Sequence, residues 1–115
     1  MSYGPRSVFA LNCASNVTLT SALDLGRAWT NVYLEVPTMT SGCNIYVQAA
    51  ASATGTFRRV YQRANSGTAQ VNAVQIPSSV TQAMVDIPGG FQHLKVELST
   101  AMTATSVNFK VHCAN

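Results

Sequence analysis

Val107-Asn108-Phe109-Lys110-Val111-His112-Cys113 alternates apolar and polar side chains without a break. Successive side chains of an extended strand leave opposite faces, so a period of two reads as a strand with one face buried. The same beat appears upstream in Leu94-Lys95-Val96-Glu97-Leu98, in Val32-Tyr33-Leu34-Glu35-Val36 and in Cys43-Asn44-Ile45-Tyr46-Val47-Gln48-Ala49. Extended runs are expected over residues 6–13, 17–25, 28–36, 43–50, 56–62 and 82–87, with a weaker one over 69–76 and the clearest over 92–99 and 105–113. Turn signals separate them: 12–16, Gly26-Arg27, Pro37 with 38–42, the small-residue stretch 51–55, 63–67, 77–79 and Pro88-Gly89-Gly90. No window carries a helical period, although residues 80–85 also suit a single helical turn. Eight or nine short strands punctuated this way predict an all-β fold, an antiparallel β-sandwich or jelly roll of about eight short strands, with a closed barrel as the alternative. The expected organisation is an N-terminal arm, 1–6, and a single β-sandwich domain, 7–115. Leu34-Glu35-Val36 followed by Asn44-Ile45-Tyr46-Val47 echoes Leu94-Lys95-Val96 followed by Asn108-Phe109-Lys110-Val111, which reads as two similar hairpins.

Composition narrows the function classes. Of 115 residues 47% are hydrophobic and only 10% charged, against a usual charged share of ~25%. Such a chain has enough apolar residues for one core and is not of the disordered type. Hydroxyls and amides supply its polarity, and a surface with few charges is readily covered by another subunit. The net charge of +3 is spread thinly. Only Arg58, Arg59 and Arg63 lie close together, so no basic stripe for nucleic acid is formed. No apolar run approaches the length of a membrane span, and the opening residues lack the basic and apolar regions of a secretory leader. Cys13, Cys43 and Cys113 form an odd set without a CxxC pair, which predicts free thiols made in a reducing cytoplasm, with one disulfide and a leftover thiol as the alternative.

Few residues are candidates for chemistry. The acids Asp24, Glu35, Asp86 and Glu97 are each alone in sequence, and alternation places Glu35 and Glu97 on outward faces. A glycosidase needs two carboxylates converging across a cleft. His93 and His112 also take the outward phase, and no zinc or calcium spacing is present. The three cysteines take the inward phase, where thiols are inert. There is no phosphate loop and no GxSxG elbow. The expectation is a protein without catalytic residues, cofactor or metal. Trp29, the single tryptophan, reads as a core anchor, with a sugar-stacking platform as its alternative. In Phe57-Arg58-Arg59-Val60-Tyr61-Gln62-Arg63 neither face is cleanly apolar. That suits an edge strand guarded by charge or a subunit contact. The contact residues expected from sequence are Tyr3, Pro5 and Arg6 of the arm together with Arg58, Arg59 and Arg63.

The stretches Thr20-Ser21-Ala22-Leu23-Asp24-Leu25-Gly26-Arg27-Ala28-Trp29 and Val32-Tyr33-Leu34-Glu35-Val36-Pro37-Thr38-Met39 resemble small virion structural proteins of tailed bacteriophages. So does the downstream order Tyr46-Val47-Gln48-Ala49, Thr56-Phe57-Arg58-Arg59-Val60, Ile87-Pro88-Gly89-Gly90 and Leu94-Lys95-Val96-Glu97. The likeness is closest to capsid decoration, or cement, proteins and covers most of the chain. It implies a β-sandwich on the capsid surface that clamps the major capsid protein, forms a homo-oligomer (a trimer) and contacts neither nucleic acid nor membrane directly. Phage neck, tail and fibre components share this kind of sandwich. A second likeness runs through Ile45-Tyr46-Val47-Gln48-Ala49, Thr56-Phe57-Arg58-Arg59-Val60 and Phe91-Gln92-His93-Leu94-Lys95-Val96. This pattern is similar to discoidin-like and carbohydrate-binding sandwiches, which bind through aromatic residues at loop tips. The expected loops 38–42, 51–55, 65–67 and 101–104 contain no aromatic residue.

Overall fold

The alternating segments pair into two antiparallel sheets. The computed structural model describes residues 6–38, 43–52, 54–63, 70–73, 75–76, 83–87, 89–103 and 106–115. Its strands are β1 (Arg6–Cys13), β2 (Leu23–Asp24), β3 (Asn31–Val36), β4 (Ile45–Ala50), β5 (Arg58–Arg59), β6 (Tyr61–Arg63), β7 (Gln70–Ala73), β8 (Gln75–Ile76), β9 (Ala83–Ile87), β10 (His93–Leu98) and β11 (Val107–Ala114). The first sheet has the order β1-β11-β3-β9 and the second β2-β10-β4-β5, with β8 also paired to β4. These two paths use eight strands, as expected. A separate two-stranded ribbon joins β6 to β7.

The core lies between the sheets and is made by the inward phase of each strand. Leu11, Val32, Leu34, Val36, Val107, Phe109 and Val111 come from the first sheet, and Ile45, Val47, Leu94, Val96 and Leu98 from the second. All belong to one buried cluster, the arrangement required when each sheet must cover one apolar face. Cys13, Cys43 and Cys113 are buried in it as free thiols. Trp29 is buried too, its indole N–H donating to the Leu25 carbonyl at 2.8 Å. It is a core anchor, not a platform.

Three local expectations are corrected. The run 17–25 is not one strand. Leu19 makes an isolated bridge to Glu97, and only Leu23–Asp24 form a ladder. Between them Thr20 turns inward: its N–H donates to the Val96 carbonyl and its hydroxyl accepts from the Val96 N–H, both at 3.0 Å. The segment 56–62 is broken at Val60, whose N–H donates to Val47 while β5 and β6 enter different sheets. The echoed pairs are not hairpins. β3 and β4 lie in different sheets, as do β10 and β11, so each connection arches over the core. Residues 83–85 are strand, not helix. The expected turns at 39–42, 64–67 and 77–79, Pro88, and the remainder of the helical alternative, 80–82, fall outside the described residues.

At the start of β10, Gly89 is forced by close packing. A Cβ there would stand 2.4 Å from the Thr30 carbonyl oxygen and 2.5 Å from that of Trp29. The next residue, Gly90, has φ +95° and donates its N–H to Trp29 at 2.9 Å, so both glycines lock this turn against the entry to β3.

Candidate interaction surfaces

Because the core takes the inward phase, the outward phase of each sheet is a surface whose composition can be mapped from register. On the second sheet Gln48 stands opposite Lys95 on one side and Arg59 on the other, and Tyr46 opposite Glu97. These residues are joined. The Arg59 guanidinium lies 4.1 Å above the Tyr46 ring and grips Glu97 with two bonds, Nε to Oε1 at 3.0 Å and Nη2 to Oε2 at 2.6 Å. Gln48 donates to the same Oε1 at 2.9 Å. The Arg59 hydrogen bonds hold the Glu97 carboxyl below its usual range; burial, the next-largest effect, opposes them, and Gln48 adds a smaller lowering. A planar guanidinium suits both contacts, stacking and two-pronged pairing, in a way an ammonium would not. Nearby, the Lys95 ammonium lies 4.5 Å from the Phe57 ring centre.

This geometry explains why neither face of the Arg58-Arg59 segment reads as apolar. Arg59 shares the outward phase with Gln48, whereas Arg58 shares the inward phase with Ala49. Since β5 is the sheet edge, Arg58 has no sheet beyond it and stays exposed, while Val60 in the same phase packs on the core.

The same outer face continues through Asp24, His93 and Ala50, which are register partners. Here the sequence reading is corrected. His93 takes the outward phase but is only 6% exposed, and its buried Nδ1 has no hydrogen-bond partner among the described residues. Phase sets the direction of a side chain, and what later covers it is a tertiary matter. Asp24 beside it accepts from the Gln92 amide at 3.0 Å and the Gly26 N–H at 2.8 Å, contacts that hold its carboxyl below the usual range.

The outer face of the first sheet differs in character. One row runs Val8, His112, Tyr33, Asp86 and the next Ala10, Lys110, Glu35, Met84. Val8 is 59% and Met84 54% exposed, and Tyr33 is also exposed. His112 Nε2 and Glu35 Oε1 are 2.9 Å apart. A shallow groove of about 520 Å³ opens at one end, lined by Arg6, Val8, Asn31, Tyr33, His112 and Asn115. The apolar outward residues were readable in principle, since Val8 and Met84 interrupt the polar phase of their strands.

The expected contact residues do not form one surface. Arg6 lines the groove on the first sheet, Arg58 and Arg59 edge the second, and Arg63 lies in the β6–β7 ribbon. Tyr3 and Pro5 fall outside the described residues. Glu35 and Glu97 are likewise on the outer faces of different sheets, each with its own basic partner, so they do not converge as a glycosidase pair would. No cluster of three or more potential metal ligands exists among the described residues.

The chain shares its fold with a prophage protein. That structure is the SPBc2 prophage-derived protein YomS, with a TM-score of 0.66 over 100% of this chain and 97% of the other at 12% identity. Two phage capsid structures overlap more loosely. The acid-stable capsid of Helicobacter pylori bacteriophage KHP30 gives a TM-score of 0.48 at 14% identity, covering 99% of this chain and 90% of that one. The capsid asymmetric unit of cyanophage Pam1 gives 0.36 at 18%, covering 96% and 83%. Neither overlap is close enough to define a shared fold. No protein-family model and no curated protein matches the sequence. Similarity to YomS at this identity speaks to architecture alone.

Proposed function

We propose that this chain is a non-enzymatic structural protein of a bacteriophage virion, an arm followed by one sandwich domain, that decorates and stabilises the capsid by bridging major capsid subunits. The observation that carries the reading is the end-to-end correspondence of fold with a prophage-derived protein. It agrees with the resemblance of the sequence to phage decoration proteins. The protein acts as a homo-oligomer on the capsid surface, after synthesis in the host cytoplasm, and needs no cofactor, nucleic acid or membrane.

The surfaces suit such a role. A rigid sandwich offers two outward faces, one carrying the braced Arg59, Tyr46 and Glu97 and the other the exposed Val8, Tyr33 and Met84. Arg and Tyr are favoured at binding hot spots, and side chains already held in place lose little freedom on docking. A body that binds the assembled shell and not its dissociated subunits stabilises the shell by mass action. The sugar-binding alternative loses its platform, because Trp29 is buried with its N–H bonded.

Particles prepared with and without the protein test the reading in a heat ramp that follows genome release. Release at lower temperature from particles lacking it, restored by adding purified protein, is the expected result. Identical release curves overturn the cementing role, and labelling confined to the neck or tail moves the protein to those parts of the virion.

A further inference from the structure

We infer that the outer edge of β1 is the contact between two copies of this chain, joined as antiparallel strands about a two-fold axis. This rests on the homo-oligomeric part of the reading above and names its surface. Sheet edges present unpaired N–H and C=O groups, and proteins that stay monomeric keep such edges short, charged or bulged. The edges of this sandwich follow that rule except at β1. β2, β5 and β8 have two residues each, and β9 has five. β1 has eight, and pairs with β11 from Arg6↔Ala114 to Cys13↔Val107 without a bulge. Among the described residues no strand pairs with its other side. It carries one charge, Arg6, at its very start.

The inward phase of β1 points to what covers it. Phe9 is half-buried although its partner Val111 is fully buried, and Ser7 is half-buried beside buried Cys113. A strand laid along this edge completes the burial only if its own inward phase is apolar or small. β1 itself meets that condition. In an antiparallel pair centred on Phe9, Phe9 faces its mate, Ser7 faces Leu11, Val8 faces Ala10 and Arg6 faces the neutral Asn12. Identical strands thus meet without opposed charges, as a self-complementary contact requires. The result is one continuous sheet of eight strands through the first sheets of both copies. A two-fold contact of this kind closes as a dimer, where the sequence resemblance implies a trimer, so mass separates the two.

Sedimentation of the purified protein tests the contact without reference to any particle, so its failure leaves the capsid reading untouched. The wild type is expected at twice the chain mass. Two exposed outward residues, Val8 and Ala10, are then replaced together, as V8K/A10K in one protein and V8E/A10E in another. In the register centred on Phe9 each introduced lysine faces one on the mate, position 8 against position 10, so the lysine protein is expected at the single-chain mass. An equimolar mixture with the glutamate protein is expected to recover the double mass. Hydrogen exchange on the wild type provides a reading that does not depend on variant folding: the edge-facing amides of β1 should be protected as strongly as those facing β11. A wild type at single or triple mass, a dimer unchanged by V8K/A10K, or rapid exchange along the whole outer edge of β1 each overturns the assignment.

Discussion

His93 concentrates several of the forces that act on single residues here. Its imidazole is buried on the outward side of β10, beside Asp24 and Ala50, and Nδ1 has no hydrogen-bond partner among the described residues. A buried polar atom left unpaired costs about 1–3 kcal/mol, whereas an apolar group of similar shape avoids that cost. His93→Leu is therefore expected to leave stability unchanged or raise it by about 1 kcal/mol in urea titration, and a clear loss would show that Nδ1 is satisfied by water or a ligand. The thiols show the complementary case. Burial pushes Cys13, Cys43 and Cys113 above their ordinary value of 9.0, most simply at Cys113, where it acts alone; at Cys43 the backbone at Thr100 and Ser99 partly offsets it. For a group raised in the folded state, the stabilisation is complete below the unfolded value and is lost as pH rises through the folded value. Melting temperature should accordingly fall on the alkaline side of pH 9. At neutral pH a thiol reagent should label the cysteines only as fast as the protein opens, and prompt labelling of the native protein would contradict their burial.

At the scale of elements, β5 and the turn before β10 are the informative places. Arg59 is partly exposed, so its pairing with Glu97 is worth at most about 1 kcal/mol at neutral pH. The sign of its pH dependence is still definite. Glu97 is held below its ordinary 4.5 in the fold, so its contribution is present above that value and is lost as pH falls through the folded one. Arg59→Met should flatten this acid limb by lowering stability at pH 7, by at most about 1 kcal/mol, while leaving stability at the acid end unchanged, readable as melting temperature against pH. Gly89→Ala is the severe change. Its Cβ would meet backbone oxygens, which yield less readily than side-chain ends, and a loss on the order of 1–3 kcal/mol is expected in the same titration. These places also mark the limit of what alternation reveals. β1, β3, β10 and β11 were legible because core contact holds one phase of each strand throughout, and that periodic demand is written directly in the residues. The segment 17–25 was misread because Thr20 satisfies Val96 from an inward position, using a hydroxyl where a ladder would use backbone. The break at Val60 and the arches mistaken for hairpins depend on which sheet a strand enters, and nothing local to the strand encodes that. The contact residues were least legible. Charge marked out Arg58 and Arg59, but only register shows that Arg59 is braced by Tyr46 and Glu97 while Arg58, in the opposite phase, is exposed at the sheet edge.

For the whole molecule, the arrangement of its two outer faces decides how cementing must work if the proposed reading holds. The faces lie on opposite sides of one core, so a capsid subunit touching Arg58 and Arg59 is not placed to touch Tyr33 and Met84 as well. Attachment to the shell requires either face, but bridging by a single copy requires both. Bound at a hundredfold excess over its Kd, a protein adds roughly 2.7 kcal/mol per site to the state it prefers. That preference for the assembled shell exists only when the bound protein spans two subunits, here by one copy using both faces, because a contact to one subunit survives dissociation and stabilises both states alike. Occupancy and protection should therefore come apart. Arg58→Glu alters the second sheet's edge and Met84→Asp the first sheet's face, each at an exposed position where folding is little affected. Each variant is expected to remain on purified particles to a measurable extent, by quantitative electrophoresis, yet to give the lower genome-release temperature of particles without the protein. The double variant should be absent from particles altogether. If either single variant protects as fully as the wild type while remaining bound, the face it alters takes no part in bridging, and contact with the shell is made on the other side of the sandwich alone.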